Sequence, residues 1–422
     1  MRILFLTNYY PPFEVGGYEQ LCRDVAVRLS QRGHRIAVLT SDHITRETML
    51  SSEASVSRLL RTQPARNARL SIAAQFLLTR RRAERHNRSI FRETAREFGP
   101  DIVFIWNLQG LPYDLALDAE ALPGIAVAYW LAGYTPAEPD LFWRYWMQPP
   151  PVRAPLLPIK RFLSKIALAQ MKREGRPVHP HMHHVGVVSE YMKCKGLAEG
   201  TLPPHARVIH NGVETDVFYR DAPPPDAPLP TNLLIAGRVS PDKGIHVAID
   251  AVEQLARSRP QRDFRLLIAG DGPAEYLAYL HKRAEGHNVT DLVSFLGWLP
   301  RERIPAVMHD SHILLLTTIH PEPFARVVLE GMAAGLAVVG TLTGGTGELL
   351  QDGVNGLSCA AEDAGDLARQ VGRLLDGPQL RHRLARQGQD TVLAHYTLDH
   401  MVEQLEILLT QAVAEQTQQI DR

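Results

Sequence analysis

Residues 1–40 read MRILFLTNYYPPFEVGGYEQLCRDVAVRLSQRGHRIAVLT, and this stretch decides the fold class. The apolar run from Ile3 to Leu6 meets a polar, Pro-rich turn at Pro11-Pro12. It therefore reads as a buried strand over 2–8, not as a signal peptide. Leu21, Val25 and Leu29 recur at helical spacing over 18–32, and a second strand is expected over 35–40. Gly16-Gly17 turns the chain between the first strand and the helix. Two strands around one helix make a βαβ unit.

Working outward, further apolar strands are expected over 102–106, 125–130 and 185–188, with a strand running into a turn over 207–213. Residues 221–230 then hold five prolines, which can neither continue a helix nor pair in a central strand. Beyond them the alternation resumes. Strand 232–236 precedes helix 244–257, strand 264–269 helix 273–285, and strand 292–295 helix 301–309. Strand 312–317 leads to helix 325–334, and strand 336–340 closes the series. The reading is α/β, with two doubly wound parallel sheets and ligands at the carboxyl ends of the strands. The expected organisation is a first domain over 1–218, a linker over 219–231 and a second domain over 232–397. An amphipathic C-terminal helix over 398–422 packs back on the first domain, caps the second or bridges both. A chain of 422 residues suits two such domains. Two basic excursions, 46–98 and 136–182, interrupt the first.

Hydrophobic content of 45% with 22% charged residues places the chain among ordinary globular proteins. No segment approaches the roughly 18 uninterrupted apolar residues of a membrane span. Cys22, Cys194 and Cys359 lie far apart with no CxxC pair, which speaks against a disulfide framework and for a reducing compartment such as the cytoplasm. Net charge is zero, yet residues 1–218 carry 28 Lys/Arg against 20 Asp/Glu and the remainder carries the opposite excess. Either the basic domain faces anionic material, a peripheral membrane surface included, or the two charge sets are solvated or mutually attractive. Arg80-Arg81-Arg82 with Arg85 and Arg88 fits anionic lipid, a phosphorylated acceptor or a solvated helix face. His181, His183 and His184 read as solvated loop histidines before a metal site. Trp143, Tyr145 and Trp146 read as packing beneath a long loop before a sugar platform. No motif suggests nucleic acid.

The chemistry concentrates in residues 318–335, TIHPEPFARVVLEGMAAG. Pro323 suits the first position of a helix. Free N–H groups around Ala325, Arg326 and Val327 would then meet a phosphate at the positive end of the helix dipole. Glu322 lies beside that point, suited to sugar hydroxyls, and Glu330 two turns on, suited to a ribose diol. Gly237-Arg238 and Lys243-Gly244 follow the first strand of the second domain. A departing nucleotide diphosphate accumulates negative charge, and fixed cations such as Arg238 and Lys243 would stabilise it. Glycine turns at 270–272 and 344–345 border the nucleotide or simply turn the chain.

The succession of Gly16-Gly17, Asn211-Gly212-Val213, Gly237-Arg238 with Lys243-Gly244, Gly270 to Pro273, Glu322 to Glu330, and Gly344-Gly345 with Glu348 resembles glycosyltransferase family 4. The resemblance implies retaining enzymes of the GT-B fold, two Rossmann-like domains facing a cleft that closes over donor and acceptor. It implies that Arg238 and Lys243 hold the diphosphate, Glu330 the ribose and Glu322 the transferred sugar. Gly17, Gly237, Gly272, Phe324, Ala325, Arg326 and Val327 are expected to line the donor. Gly16, Asn107, Trp130 and Tyr134 are expected on the acceptor side. No metal and no cofactor are implied, the nucleotide sugar being a substrate. The partners are a nucleotide-diphosphate sugar, with UDP favoured, and a glycan, lipid or small-molecule acceptor.

Two departures stand out. Family members often carry His-x-His-Asn where this chain has Phe104-Ile105-Trp106-Asn107, and a His-Asp pair where it has Ala132-Gly133. A side-chain contact to sugar or acceptor is thereby expected to be lost or moved. Three function classes follow: a hexosyltransferase, a nucleotide-sugar-binding protein without turnover, and a nucleotide-sugar epimerase of the same fold. Labelled nucleotide sugars distinguish them, since an epimerase makes a new sugar with no acceptor present.

Overall fold

The computed structural model describes residues 1–13, 16–43, 55–63, 69–133, 137–148, 157–222 and 230–420. Tyr134 and most of the proline run lie outside them. The chain forms two compact units. The first is Met1–Val188 with Lys193–Ile209 and Val402–Arg422; the second is Ser189–Met192 with His210–Met401.

The first unit runs β1 (Arg2–Thr7), α1 (Gly17–Gln31), β2 (Arg35–Ser41), β3 (Val56–Leu60), α2 (Arg69–Leu78), α3 (Arg80–Phe98), β4 (Ile102–Asn107), α4 (Asp114–Glu120), β5 (Ala126–Leu131), α5 (Leu141–Met147) and α6 (Leu157–Arg173). It continues through β6 (Val185–Val187), α7 (Glu190–Ala198), whose first turn belongs to the second unit, and β7 (Arg207–Val208). The seven strands pair in parallel in the order β3-β2-β1-β4-β5-β6-β7. Leu4, Val103 and Leu39 lie in its core, each wholly buried. Full burial of such a side chain contributes roughly 1.5–3 kcal/mol.

The second unit holds α8 (Thr215–Phe218), β8 (Thr231–Ala236), α9 (Ile245–Ser258), β9 (Phe264–Ala269), α10 (Ala274–Gly286), β10 (Val293–Gly297), α11 (Ile304–His309), β11 (Ile313–Leu316), α12 (Arg326–Ala333) and β12 (Ala337–Thr341). After β13 (Leu357–Cys359) come α13 (Ala364–Asp376), α14 (Pro378–His395) and α15 (Leu398–Ile420), most of which returns to the first unit. Its parallel sheet has the order β10-β9-β8-β11-β12-β13. Both sheets therefore reverse direction beside their first strand, at β1/β4 and at β8/β11, the switch points where doubly wound sheets bind ligands.

Several elements escaped the pattern reading, β3, β13 and α13 among them. β3 is a half-polar edge strand, and β13 has only three residues. α13 carried a legible signal: Asp363 accepts from the Asp366 N–H at 2.9 Å as its N-cap, and Leu367, Val371 and Leu374 follow at helical spacing. The expected boundary at 218 also moves upstream. The Val213 N–H donates to the Tyr396 carbonyl at 2.9 Å, and the Leu398 N–H returns a bond to the Val213 carbonyl at 2.9 Å. These bonds stitch the segment from His210 into the second unit. The C-terminal helix is tied to α1 through Glu406, which meets Arg32 at 2.9 Å and His34 at 2.8 Å.

Candidate active site

In the second unit, β8 ends into the loop carrying Arg238 and Lys243, and β11 ends into the loop carrying Glu322. The two loops flank the switch point and are bonded to each other. Thr317 Oγ1 donates to the Lys243 carbonyl at 2.7 Å, and the Ile319 N–H to the Asp242 carbonyl at 2.9 Å. Gly244 makes this approach workable. Its φ is +63°, and a Cβ there would stand 2.1 Å from the Thr317 carbonyl oxygen. Lys243 Nζ pairs with Glu322 Oε1, joining the cation of one loop to the carboxylate of the other. Arg238 is exposed. Burial alone would raise the Asp242 carboxyl; hydrogen bonds within its turn and the charges of Lys243 and Arg238 hold it below its ordinary value.

The β8 loop also runs alongside the turn after β9. The Gly237 N–H donates to Ala269 at 2.9 Å and the Val239 N–H to Asp271 at 2.8 Å. Gly270, at φ +152°, would place a Cβ 1.8 Å from the Gly237 carbonyl oxygen. This glycine turn lets two loops zip together and so places the loop of Arg238.

Residues 322–325 lie outside the helix, which corrects the expected helix start. α12 begins at Arg326 with Ala325 as its N-cap and no side-chain cap, so Pro323 precedes the helix by three residues. The reason is tertiary. Glu322 forms a β-bridge with Gly344, the Gly345 N–H donates to the Glu322 carbonyl at 2.7 Å, and Ser189 Oγ donates to the Pro323 carbonyl at 2.7 Å. Within that first turn the Val328 N–H donates to the Ala325 carbonyl at 3.0 Å. Phe324 and Ala325 are buried, each 5% exposed. The Phe324 ring packs against His210 and Tyr396, with centroids 5.0 and 5.8 Å away. Phe324 thus props the loop. Val327 is half-buried on the first turn of α12. Glu330 stands between two guanidinium groups, Arg326 at 3.7 Å and Arg301 at 3.8 Å.

Of the supports, sequence reading named Glu348 without a role and missed the rest. Glu348 accepts from the Glu190 and Tyr191 N–H groups, both at 2.9 Å, and contacts His210 Nε2 at 3.1 Å. Ser189, His210 and Tyr396 carry no local pattern, because their side-chain partners lie 48 to 138 residues away in the chain.

The switch point of the first unit has another character. Gly16 caps α1, its N–H donating to Glu19 Oε2 at 3.0 Å, and Gly17 is the exposed first residue of that helix. Trp106 and Trp130, at the ends of β4 and β5, are fully buried with ring centroids 4.4 Å apart. Tyr18 covers them, its hydroxyl donating to the Trp106 carbonyl at 2.6 Å, with its ring stacked on Trp130 at 5.6 Å. Trp130 Nε1 donates to the Ile209 carbonyl at 3.0 Å. Trp130 is therefore a core residue, a correction to its expected place on the acceptor side: an indole at 0% exposure has no face left for a ligand. Asn107 is also buried, with its Oδ1 accepting from the Gln109 N–H at 2.8 Å.

The remaining clusters are structural. Trp143 and Trp146 pack with Phe76, Phe142 and Met171. Arg80 is buried and bonds Glu84 and Glu174; Arg88 bonds Asp118 at 2.6 Å. His181 bonds Glu120 and stacks on His183. Among the described residues no three His, Cys, Asp or Glu side chains converge as a metal site. Burial pushes the Cys359 thiol up to about 12, so it is protonated at neutral pH.

With this geometry in place, the comparisons with known proteins decide the family. Residues 15–217 match the model of Glycosyltransferase Family 4, and residues 227–391 that of Glycosyl transferases group 1. The chain belongs to the family 4 glycosyltransferases. Glycogen synthase of Mycobacterium tuberculosis strain H37Rv is 35% identical over 201 residues, covering 48% of this chain and 46% of that protein. Alpha-D-kanosaminyltransferase of Streptomyces kanamyceticus is 31% identical over 173 residues, 41% of this chain and 44% of that one. The matched stretch spans about half the length of these curated relatives. Among solved structures, HepE of Anabaena in complex with UDP-glucose covers 97% of this chain and all of its own at a TM-score of 0.67 and 20% identity. Sucrose-phosphate synthase of Thermosynechococcus elongatus covers 98% and 100% at 0.71 and 19%. At such identity the likeness concerns the fold, which is the GT-B class of this glycosyltransferase family.

Proposed function

We propose that this family 4 glycosyltransferase moves a hexose-type sugar, with retention, from a nucleotide diphosphate to a hydroxyl of a glycan, lipid or small-molecule acceptor. The observation that carries the reading is the second switch point, where Lys243 after β8 pairs with Glu322 after β11, four residues before α12, and Arg238 is exposed on the Lys243 loop. In this reading Arg238, Lys243 and the first turn of α12 hold the diphosphate, and Glu330, oriented by Arg301 and Arg326, holds the ribose. Glu322 accepts hydrogen bonds from sugar hydroxyls. The acceptor oxygen bonds to the anomeric carbon on the face from which the diphosphate departs, the carbon–phosphate oxygen bond breaks, and the hydroxyl proton passes to the leaving phosphate. Lys243 stabilises the developing charge, so two fixed cations take the part a metal plays elsewhere. UDP is the favoured base carrier, in line with the UDP-glucose bound by the HepE structure.

A second reading, donor binding without turnover, is favoured by one observation. The first-unit edge is filled by Tyr18, Trp106 and Trp130, on the side where family members often carry His-x-His-Asn.

The test pairs thermal shifts with UDP-, GDP- and ADP-glucose with transfer from labelled donor to an acceptor panel. One nucleotide class should stabilise the protein saturably, and Glu330→Ala should weaken that affinity about tenfold or more, the scale of a charged hydrogen bond. An unchanged shift in Glu330→Ala removes the ribose assignment. Binding without transfer across the panel selects the second reading.

A further inference from the structure

Helix α6 has two unlike sides. Ala167 and Met171 turn inward, against the cluster of Phe76, Phe142, Trp143 and Trp146. On the opposite side Phe162 is 64% exposed and Ile166 50%, one turn apart, with Leu163 beside them. Two such apolar side chains in water on one helical face are unusual for a partnerless surface. The helices that share this inner cluster also expose apolar side chains, Leu77 and Leu78 on α2 and Met147 on α5.

The charge pattern specifies the partner. From Leu157 to Arg173 the helix reads LPIKRFLSKIALAQMKR, with five cations and no carboxylate. Arg161, Lys165 and Lys172 lie along one flank of the apolar strip, and Arg173 ends it. The Arg80–Arg88 stretch contrasts with this: several of its guanidinium groups bond Glu84, Glu174 and Asp118 within the unit.

We propose that the outer face of α6 docks the protein on an anionic lipid surface. Phe162, Ile166 and Leu163 enter the headgroup boundary, and Arg161, Lys165, Lys172 and Arg173 meet lipid phosphates. A second copy of the chain is a poorer occupant, since a two-fold contact would set the same cationic flank against itself. Among the described residues no helix is long and apolar enough to cross a membrane, so this contact lies on the surface. The inference goes beyond the nucleotide-sugar reading and does not depend on it.

The test is co-sedimentation of the full chain with phosphatidylcholine vesicles, with and without 30 mol% (about one lipid in three) phosphatidylglycerol, at low and high salt. Binding to the anionic vesicles is expected, weakened by salt. Phe162→Ser/Ile166→Ser should abolish it. Arg161→Gln/Lys165→Gln should lower partitioning about tenfold or more, at the scale each basic residue contributes near an anionic surface. Both pairs are exposed, so circular dichroism and the unfolding temperature should match the parent. Failure to bind anionic vesicles overturns the proposal, and so does equal binding by Phe162→Ser/Ile166→Ser. A concentration-dependent dimer in sedimentation velocity, lost in that same variant, would replace the lipid by a second copy. The nucleotide thermal shift, read in parallel, separates this outcome from failure of the donor reading.

Discussion

The two sheets share strand order and switch-point position, yet their carboxyl edges differ in kind. At β8/β11 the edge is polar and charged: Lys243 pairs with Glu322, Arg238 is exposed, and a helix begins without a side-chain cap. At β1/β4 and β5 the edge is filled by Tyr18, Trp106 and Trp130, whose hydrogen bonds go to the protein itself. Architecture supplies a place for a ligand, and the side chains at that place decide whether it is a site or a core. Where family members often carry His-x-His-Asn, a buried indole, Trp106, occupies the volume.

Three experiments would break or sharpen this contrast. The largest effect is expected from Trp130→Ala, which leaves a cavity and an unpaired Ile209 carbonyl. It should cost about 3–5 kcal/mol in urea unfolding while leaving donor affinity of the folded protein unchanged. A small cost would mean that the aromatic edge is a ligand surface after all. Next, Arg238→Ala and Lys243→Ala should each lower transfer about 10²- to 10³-fold, the scale of one lost electrostatic stabiliser, with unfolding midpoints close to the parent. Transfer that survives both substitutions would remove the charged edge from the chemistry.

The smallest effect concerns α15. Its Glu406 carboxyl is held below the ordinary carboxylate range, first by the His34 hydrogen bond and then by Arg32. A depressed carboxylate contributes stability above its unfolded pKa and loses it as pH falls through the folded value. Glu406→Gln should therefore cost under about 1 kcal/mol at neutral pH, as exposed pairs do. The difference from the parent should vanish in acid. A difference that persists at acid pH would assign the anchoring to packing of Leu405, Leu408 and Leu409 alone, all of which are buried.

Much was legible in local pattern. Leu21, Val25 and Leu29 recur at helical spacing, and β9 spans the expected 264–269 because five of its six residues are buried in a parallel sheet. The loop residues at the second switch point were legible as well, since Gly237-Arg238, Lys243-Gly244 and Glu322-Pro323 each lie beyond a strand end. The start of α12 was not. Pro323 favours a first helical position, but the bridge from Glu322 to Gly344 and the bond from Ser189 hold it outside the helix. Local propensity of a few tenths of a kcal/mol yields to several tertiary hydrogen bonds.

What the sequence determined by itself was therefore the alternation of strand and helix and the residue types at each strand end, because both depend on neighbours within a few positions. Tertiary structure alone decided which of those residues face outward. Trp130 and Lys243 both end a strand–turn segment, yet one is wrapped by Tyr18 and Trp106 while the other meets Glu322 across 79 residues. Burial is a property of what packs from elsewhere in the chain, and no local window contains it.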